Sequence, residues 1–327
     1  MTAPLTEKSD ASERRPYLGN AFFIVGPTAA GKSEIAAEIA RRLKAEIVNA
    51  DAFQIYRGLD LLTAKPDNTT LAKAPHHLLG TVPPTQEMNV ETFRVAALEA
   101  IRDIHARGKD VIVAGGSGLY VKALTHGLSP LPGADPKLRA QLSELSLDEL
   151  REQLVALDPA AVREIDLKNR RRVTRALEIC LLTGRPVSEQ RAQAETRGNH
   201  ASHSEAATVG VFVFRERAEL YQRIDRRVEK MFAEGVVEEV RALRDLSSTA
   251  EKALGVREIR ALLAGEISEP DCIAKIQQAT RRYAKRQLTW FQRQDNFEPL
   301  NLSSHGYPEA IELIAQNARR AFAQRDD

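Results

Sequence analysis

Two cysteines, Cys180 and Cys272, are all that the 327 residues contain, and they form no metal-ligand spacing. A disulfide framework and a zinc ribbon are therefore both excluded, and reduced thiols packed in helices are expected. No window approaches the ~18 apolar residues that a membrane-spanning helix needs. Residues 1–17 are polar, carry both charge signs and hold no apolar run, unlike a secretory leader, and their acids argue against a transit peptide. A soluble, cytoplasmic chain without a membrane partner is expected. No internal repeat is visible. What is present is ordinary for a globular protein: 43% apolar and 28% charged residues, enough chain for one large or two modest domains.

The net charge of +2 says little, but its distribution says more. Lys168 to Arg175 (KNRRRVTR) is basic without an acid, and Arg215–Lys230 and Arg281–Arg293 are also rich in base, whereas Ser143–Asp166 is acidic on balance. Segregation of this kind suits a polyanion-binding surface, although each run taken singly reads as a solvated helix face.

Ala21–Val25 is a short apolar run closed by Gly26-Pro27 and reads as a buried strand. Ser33–Leu43 has helical spacing, Ala45–Val48 reads as a second strand, Val90–Arg107 as a helix and Val111–Ala114 as a further strand. Alternation of this kind predicts an α/β, doubly wound parallel sheet, which the motif at Gly26–Ser33 makes one of the P-loop type. From Asp135 to Leu182 only helical patterns occur, and Gly184–Ala206 is polar enough to read as a long loop. Val209–Phe214 resumes as a strand, followed by helices over Arg217–Leu246, Val256–Ala264 and Asp271–Gln294. The layout expected is a disordered tail (1–19), a core (20–131 and 205–300) split by a mainly helical insertion (132–204), and a C-terminal tail or helix (301–327).

Gly26-Pro27-Thr28-Ala29-Ala30-Gly31-Lys32-Ser33 matches G-x-x-x-x-G-K-[ST] and lies between a predicted strand and a predicted helix. In that context the glycines fold the backbone into a nest of N–H groups, to which the helix dipole adds positive charge. Lys32 can reach an outer phosphate, and the Ser33 hydroxyl is placed to ligate Mg²⁺. The pattern is strong for a polyphosphate without naming which one. The second strand ends at Asn49-Ala50-Asp51, so Asp51 should lie beyond the carboxyl end of the sheet, near the loop. It could accept a proton from a nucleophile, help to hold Mg²⁺, or simply cap. Val111–Ala114 runs into Gly115-Gly116-Ser117-Gly118 without the aspartate of many P-loop hydrolases, which weakens a motor or switch reading. The glycine turn suits close approach of a ligand.

GPTAAGKS, DAFQIYRGLDLLTAKP (51–66), PHHL (75–78), GGSGLYVKAL (115–124), RRVTRALEICLLTGRPVSE (171–189), LYQRIDRRVEKM (220–231) and AKRQLTWFQR (284–293) stand in this order. Together they resemble the tRNA dimethylallyltransferases over roughly residues 20–295. The resemblance implies transfer of a dimethylallyl group from dimethylallyl diphosphate to N6 of the adenosine just 3′ of the anticodon, in tRNAs reading codons that start with U. It implies that the P-loop holds the diphosphate, that Asp51 is the general base, and that Lys32, Ser33 and Arg223 assist at the diphosphate with Mg²⁺. It also implies that Asp51, Ala52, Phe53 and Gln54 contact the adenine. Ser117, Arg139, Arg171, Arg172, Val173, Thr174 and Arg175 match tRNA-contacting positions, with the helical insertion around the anticodon stem-loop of a monomeric enzyme.

The sequence departs from the family at Ser33, where threonine is usual, and in Asp-Ala-Phe-Gln, where the wording is commonly D-S-M-Q. Gly80 replaces a frequent acid, and no zinc pattern follows Arg293. Rival readings are a P-loop small-molecule kinase, a prenyltransferase of free AMP-type nucleotides, and a non-catalytic RNA-binding module. His76 and His77 are expected in local hydrogen bonds rather than on a metal, and Trp290 and Phe291 as core anchors rather than a stacking platform. Arg282, Arg286 and Arg293 share a helix face that suits either solvent or RNA.

Overall fold

The computed structural model describes residues 18, 21–128, 131–199 and 210–323. The expected N-terminal tail lies outside the described residues apart from Leu18, as does the polar stretch 200–209. Two compact units emerge, one of residues 1–127 with 207–327 and one of residues 128–206.

The first unit holds six parallel strands: β1 (Phe22–Val25), β2 (Glu46–Asn49), β3 (His76–His77), β4 (Val111–Gly115), β5 (Gly210–Phe214) and β6 (Phe297–Asn301). They lie in the order β3-β2-β4-β1-β5-β6, so β1 is central. The unbroken apolar runs of β1, β4 and β5 are what a strand covered on both faces requires. Side chains alternate accordingly: Phe23, Val25, Val111 and Val113 enter one core, while Phe22, Ile24, Ile112 and Val213 enter the other. The second face is covered by α1 (Lys32–Leu43) and α14 (Tyr307–Ala323), whose Ile35, Ile39, Ile311 and Ile314 are buried there. Residues 301–327, expected as a tail or helix, thus carry a helix whose Ile311, Ile314 and Ala315 are fully buried in the core. On the first face lie α3 (Val90–Ala106), α4 (Gly118–Thr125), α10 (Arg217–Ala233), α11 (Val236–Ala242), α12 (Val256–Leu263) and α13 (Glu269–Phe291), with the short α2 (Asn68–Leu71) near α1.

Three details depart from the sequence reading. β6 escapes it because an edge strand needs few apolar residues and tolerates Pro299. The helix expected over Arg217–Leu246 breaks at Gly235, whose φ of 96° lies in the left-handed region. Of the stretch 184–206, expected as a loop, the described part carries α9 (Val187–Asn199). Its Gln, Glu, Arg and Ala residues are good helix formers although poorly apolar, and buried Asp158 pins its start by accepting from Ser188 N (2.8 Å) and Ser188 Oγ (2.6 Å).

The remaining helices of the second unit are α5 (Pro136–Glu144), α6 (Leu147–Leu157), α7 (Ala161–Glu164) and α8 (Arg170–Thr183). Their core is Leu142, Leu150, Leu154, Val173, Leu177 and Ile179. The histidine pair is local, as its sequence suggests. His76 Nδ1 lies 2.8 Å from Ala74 O, and His77 Nε2 lies 2.7 Å from Glu46 Oε2. No cluster of three potential metal ligands occurs among the described residues.

Candidate active site

Gly26 follows β1 because no other residue fits: a Cβ there would stand 2.1 Å from Val213 O of β5. Ala29 (φ 64°) and Gly31 (φ 103°) take left-handed geometry, curling the chain into the nest that opens α1. Side chains distant in sequence fix Thr28, Ala29 and Ala30 of this loop. Gln287 of α13 accepts from Thr28 N (2.9 Å) and donates to Gly116 O (2.8 Å), tying the loop to the end of β4. Arg227 Nη2 donates to Thr28 Oγ1 (2.6 Å), Arg223 Nε to Ala29 O (2.8 Å) and Arg215 Nε to Ala30 O (2.9 Å). Lys32 Nζ completes the set by donating to Pro27 O (2.8 Å). The Nη2 atoms of Arg215 and Arg223 both lie 3.8 Å from where a Cβ of Gly31 would be.

Burial of so many cations is costly, and it shows in their acidities. Burial pulls the Lys32 amine down to about 8, with Asp51 opposing and Arg227 adding to the fall. Burial likewise lowers Arg227 to about 10, against the pull of Asp51. Arg223 is lowered by burial and by neighbouring Arg215. Arg227 Nε is buried without a hydrogen-bond partner. Arg215 is paired with Glu219 (2.5 Å), whereas Lys32, Arg223 and Arg227 have no ion pair among the described residues, so the cluster is complementary to a polyanion.

Asp51 follows β2 and forms an Asx turn, its Oδ1 accepting from Phe53 N (3.0 Å) and Gln54 N (3.3 Å). Its Oδ2 makes no hydrogen bond among the described residues, so one oxygen anchors the loop and the other is free to take a proton. Ser117 Oγ accepts from Ala52 N (2.8 Å), which ties the turn after β4 to the same loop. Packing alone already requires the glycines of that turn. A Cβ on Gly115 would meet Ala50 O at 2.3 Å, one on Gly116 would meet Gln287 Nε2 at 2.4 Å, and one on Gly118 would meet the Trp290 ring at 2.5 Å. Trp290 is thus partly buried against the core and Phe291 fully so.

A sequence model of the IPP transferase family matches residues 54–294. The chain belongs to that family. It is 44% identical over 307 residues to the tRNA dimethylallyltransferase of Geobacter sulfurreducens, covering 91% of this chain and 96% of that one. The tRNA dimethylallyltransferase 1 of Pelobacter propionicus is 44% identical over 315 residues, covering 94% and 99%. Among solved structures, the tRNA isopentenylpyrophosphate transferase of Bacillus halodurans is similar with a TM-score of 0.67 and 32% identity, covering 94% of this chain and 98% of that one. A eukaryotic dimethylallyltransferase solved acting on tRNA shares the fold, with a TM-score of 0.75 at 24% identity, covering 93% and 80%. The chain is accordingly a prenyltransferase with a P-loop-like parallel sheet.

Within this family frame, the residues expected to touch tRNA separate by what their side chains do. Val173 is wholly buried in the core of the second unit, which corrects its expected contact. Arg139 and Arg175 are held on fully buried Glu178, at 3.0 Å from Oε1 and 2.6 Å from Oε2 respectively, while Arg139 stays exposed and Arg175 half-exposed. Burial pushes the Glu178 carboxyl up, but the two arginines outweigh it and leave it below its usual range. Arg170 donates to Ser143 O (2.9 Å), Leu142 O and Leu145 O, closing the end of α5. Arg171, Arg172 and Lys168 stay exposed, and Thr174 is half-buried. Arg282, Arg286 and Arg293 are exposed or half-exposed as well. Sequence reading missed Arg215, Arg227 and Gln287. A faint signal exists: Arg223 and Arg227 are one turn apart and flank the buried Leu220, Ile224 and Val228.

Proposed function

We propose that the enzyme transfers a dimethylallyl group from dimethylallyl diphosphate to N6 of the adenosine 3′-adjacent to the anticodon, in tRNAs reading codons that start with U. The observation that carries this reading is the half-buried ring of Lys32, Arg215, Arg223 and Arg227 around the P-loop, beside a carboxylate with one free oxygen. In the reaction the C1–O bond of the prenyl donor breaks and the N6–C1 bond forms. The bonding electrons leave on the diphosphate, and the N6 proton passes to Asp51 Oδ2. The guanidiniums, Lys32 and the nest N–H groups absorb the charge developing on the leaving group, where fixed donors act with least reorganisation.

Asp51 carries the base role because its Oδ1 is fixed by two backbone N–H groups while Oδ2 remains open. Gln54 Nε2 donates to Thr63 O (3.1 Å) and Ala64 O (3.0 Å), leaving Oε1 as the group that can meet a base edge. Ala52 and Phe53 form the turn between them. The Ser33 hydroxyl, in the first turn of α1 and without a partner among the described residues, would hold Mg²⁺ together with the diphosphate oxygens. When bound, the ion neutralises further charge on the diphosphate.

Arg171 and Arg172 suit RNA phosphates. They stand in the first turn of α8, where cations oppose the helix dipole and no acid relieves them, so an external anion favours that arrangement. A monomeric, cytoplasmic enzyme is part of this reading. No helix among the described residues is long and apolar enough to cross a membrane. The test is one incubation with Mg²⁺, unmodified total tRNA and radiolabelled dimethylallyl diphosphate, with AMP in parallel. Label comigrating with N6-dimethylallyladenosine after tRNA digestion supports the reading. Label in AMP overturns it, and so does a parallel incubation with ATP and a small acceptor in which ATP is consumed and no prenyl group moves.

A further inference from the structure

We propose that Glu239, on α11 and outside the phosphate site, is a positioning residue that fixes which hydrogen-bonding group Gln54 shows to the substrate base. The inference rests on the functional reading above and deepens it. Residues 51–66 contain no helix and no extended strand, so something other than regular structure must hold their shape. Glu239 does so with one carboxylate and three backbone donors. Its Oε2 accepts from Asp60 N (2.8 Å) and Leu61 N (2.7 Å), and its Oε1 from Leu62 N (2.9 Å). Three convergent N–H groups on an ionised acceptor make a strong clamp, because each bond is charge-assisted.

The clamp sets the path of the next few residues. Past Leu62 the backbone turns, Ala64 N donating to Leu61 O (2.9 Å) and Lys65 N to Asp60 O (2.9 Å). Lys65 Nζ reaches back to Asp60 Oδ1 (2.6 Å) and Tyr56 O. That turn presents the carbonyls of Thr63 and Ala64 together to Gln54 Nε2. Two carbonyls can be faced only by the nitrogen end of an amide, so the orientation of Gln54 is determined and both of its N–H donors are consumed. Oε1 alone remains. An acceptor there pairs with the exocyclic amine of adenine and opposes the O6 carbonyl of inosine or guanosine. If the Asp60–Leu62 clamp is released, the two carbonyls separate, the amide can flip, and the preference for an amine donor falls.

The experiment compares two anticodon stem-loop RNAs, identical except for adenosine or inosine at the acceptor position, titrated against the full chain with inorganic pyrophosphate present. The wild-type protein should prefer the adenosine RNA by about tenfold, the scale of one favourable contact replaced by an opposed one. Glu239→Ala, and Glu239→Gln as the variant that keeps size, should bring that ratio to within about twofold of unity while pyrophosphate affinity stays unchanged. In a Gln54→Ala background, Glu239→Ala should have no further effect on the ratio, since both act through one contact. An unchanged ratio in both Glu239 variants overturns the inference. So does an effect additive with Gln54→Ala, or a loss of pyrophosphate affinity and melting temperature in parallel with the ratio. Failure of the wild-type protein to bind either RNA sinks the functional reading itself, and this inference with it.

Discussion

On the proposed function, the Lys32 amine, held near 8 by burial, should couple diphosphate binding to proton uptake. In the ligand-free enzyme at pH 7 the amine is mostly charged, and at pH 9 it is mostly neutral. Diphosphate needs the charged form and, once bound, restores a high pKa by its own negative charge. Binding at pH 9 must therefore also draw a proton from solvent, which weakens affinity about tenfold relative to pH 7. At pH 8 about half a proton should be taken up for each pyrophosphate bound. Calorimetric titration in two buffers of different ionisation enthalpy measures that uptake. Lys32→Met is the control, because it removes the amine but leaves the titration of pyrophosphate itself. The same shift carries a stability consequence. The folded pKa, about 8, lies below the unfolded value of 10.5, so the unfolded chain binds more protons between those limits. Stability of the ligand-free enzyme consequently rises as pH climbs from about 8 to about 10.5, and below 8 the buried charge is a full cost. Lys32→Met should then raise the melting temperature at pH 7, by an amount corresponding to up to about 3 kcal/mol, while diphosphate binding collapses. Equal proton uptake by wild type and Lys32→Met would refute the reasoning.

Asp51→Ala should cut turnover by about 10²- to 10⁴-fold in single-turnover assays with saturating RNA, leaving RNA affinity nearly intact. Asp51→Asn should lose as much although it keeps the Asx turn; lost RNA binding with normal turnover at saturation would contradict the base role. Arg227→Ala removes a buried, charged donor from the P-loop and should weaken pyrophosphate affinity by about 10- to 100-fold, read by calorimetry, with RNA affinity measured separately as the unaffected control. Replacing Arg171 and Arg172 together by Ala should weaken RNA binding and lower the slope of log affinity against log salt by nearly two. An unchanged slope would make the start of α8 a solvated face.

The parts legible in the sequence are those whose information is local. The P-loop, the strands β1, β2, β4 and β5 and the helices beside them are contiguous patterns of apolar spacing and glycine, so reading along the chain finds them. Asp51 is legible because the parallel sheet places strand ends together. Arg227, Arg215 and Gln287 are not, because they meet the P-loop from 199, 185 and 259 residues away. Nothing along the chain distinguishes an arginine that grips a carbonyl from one that meets solvent. KNRRRVTR makes the same point in reverse: one basic run contains a helix cap in Arg170, a buried apolar residue in Val173, a carboxylate partner in Arg175 and two exposed cations in Arg171 and Arg172.

The glycine turn after β4 has a packing role that the sequence does not display. An aspartate after β4 would place a carboxylate beside the metal and phosphates, as hydrolases of this architecture do. Here Gly115 and Gly116 admit the Ala50 backbone and Gln287, leaving no side chain at that point. On the proposed function, the charge of a leaving diphosphate would then be met elsewhere, by three guanidiniums and an amine already hydrogen-bonded to the loop. A diphosphate that leaves carbon, unlike a phosphoryl group under attack by water, needs no carboxylate-ordered nucleophile at the phosphorus. Exchanging that carboxylate for fixed cations favours departure of the anion over its hydrolysis. Gln287→Glu would restore a carboxylate at this position. It should therefore lower prenyl transfer through weaker diphosphate binding, without creating hydrolysis of a nucleoside triphosphate.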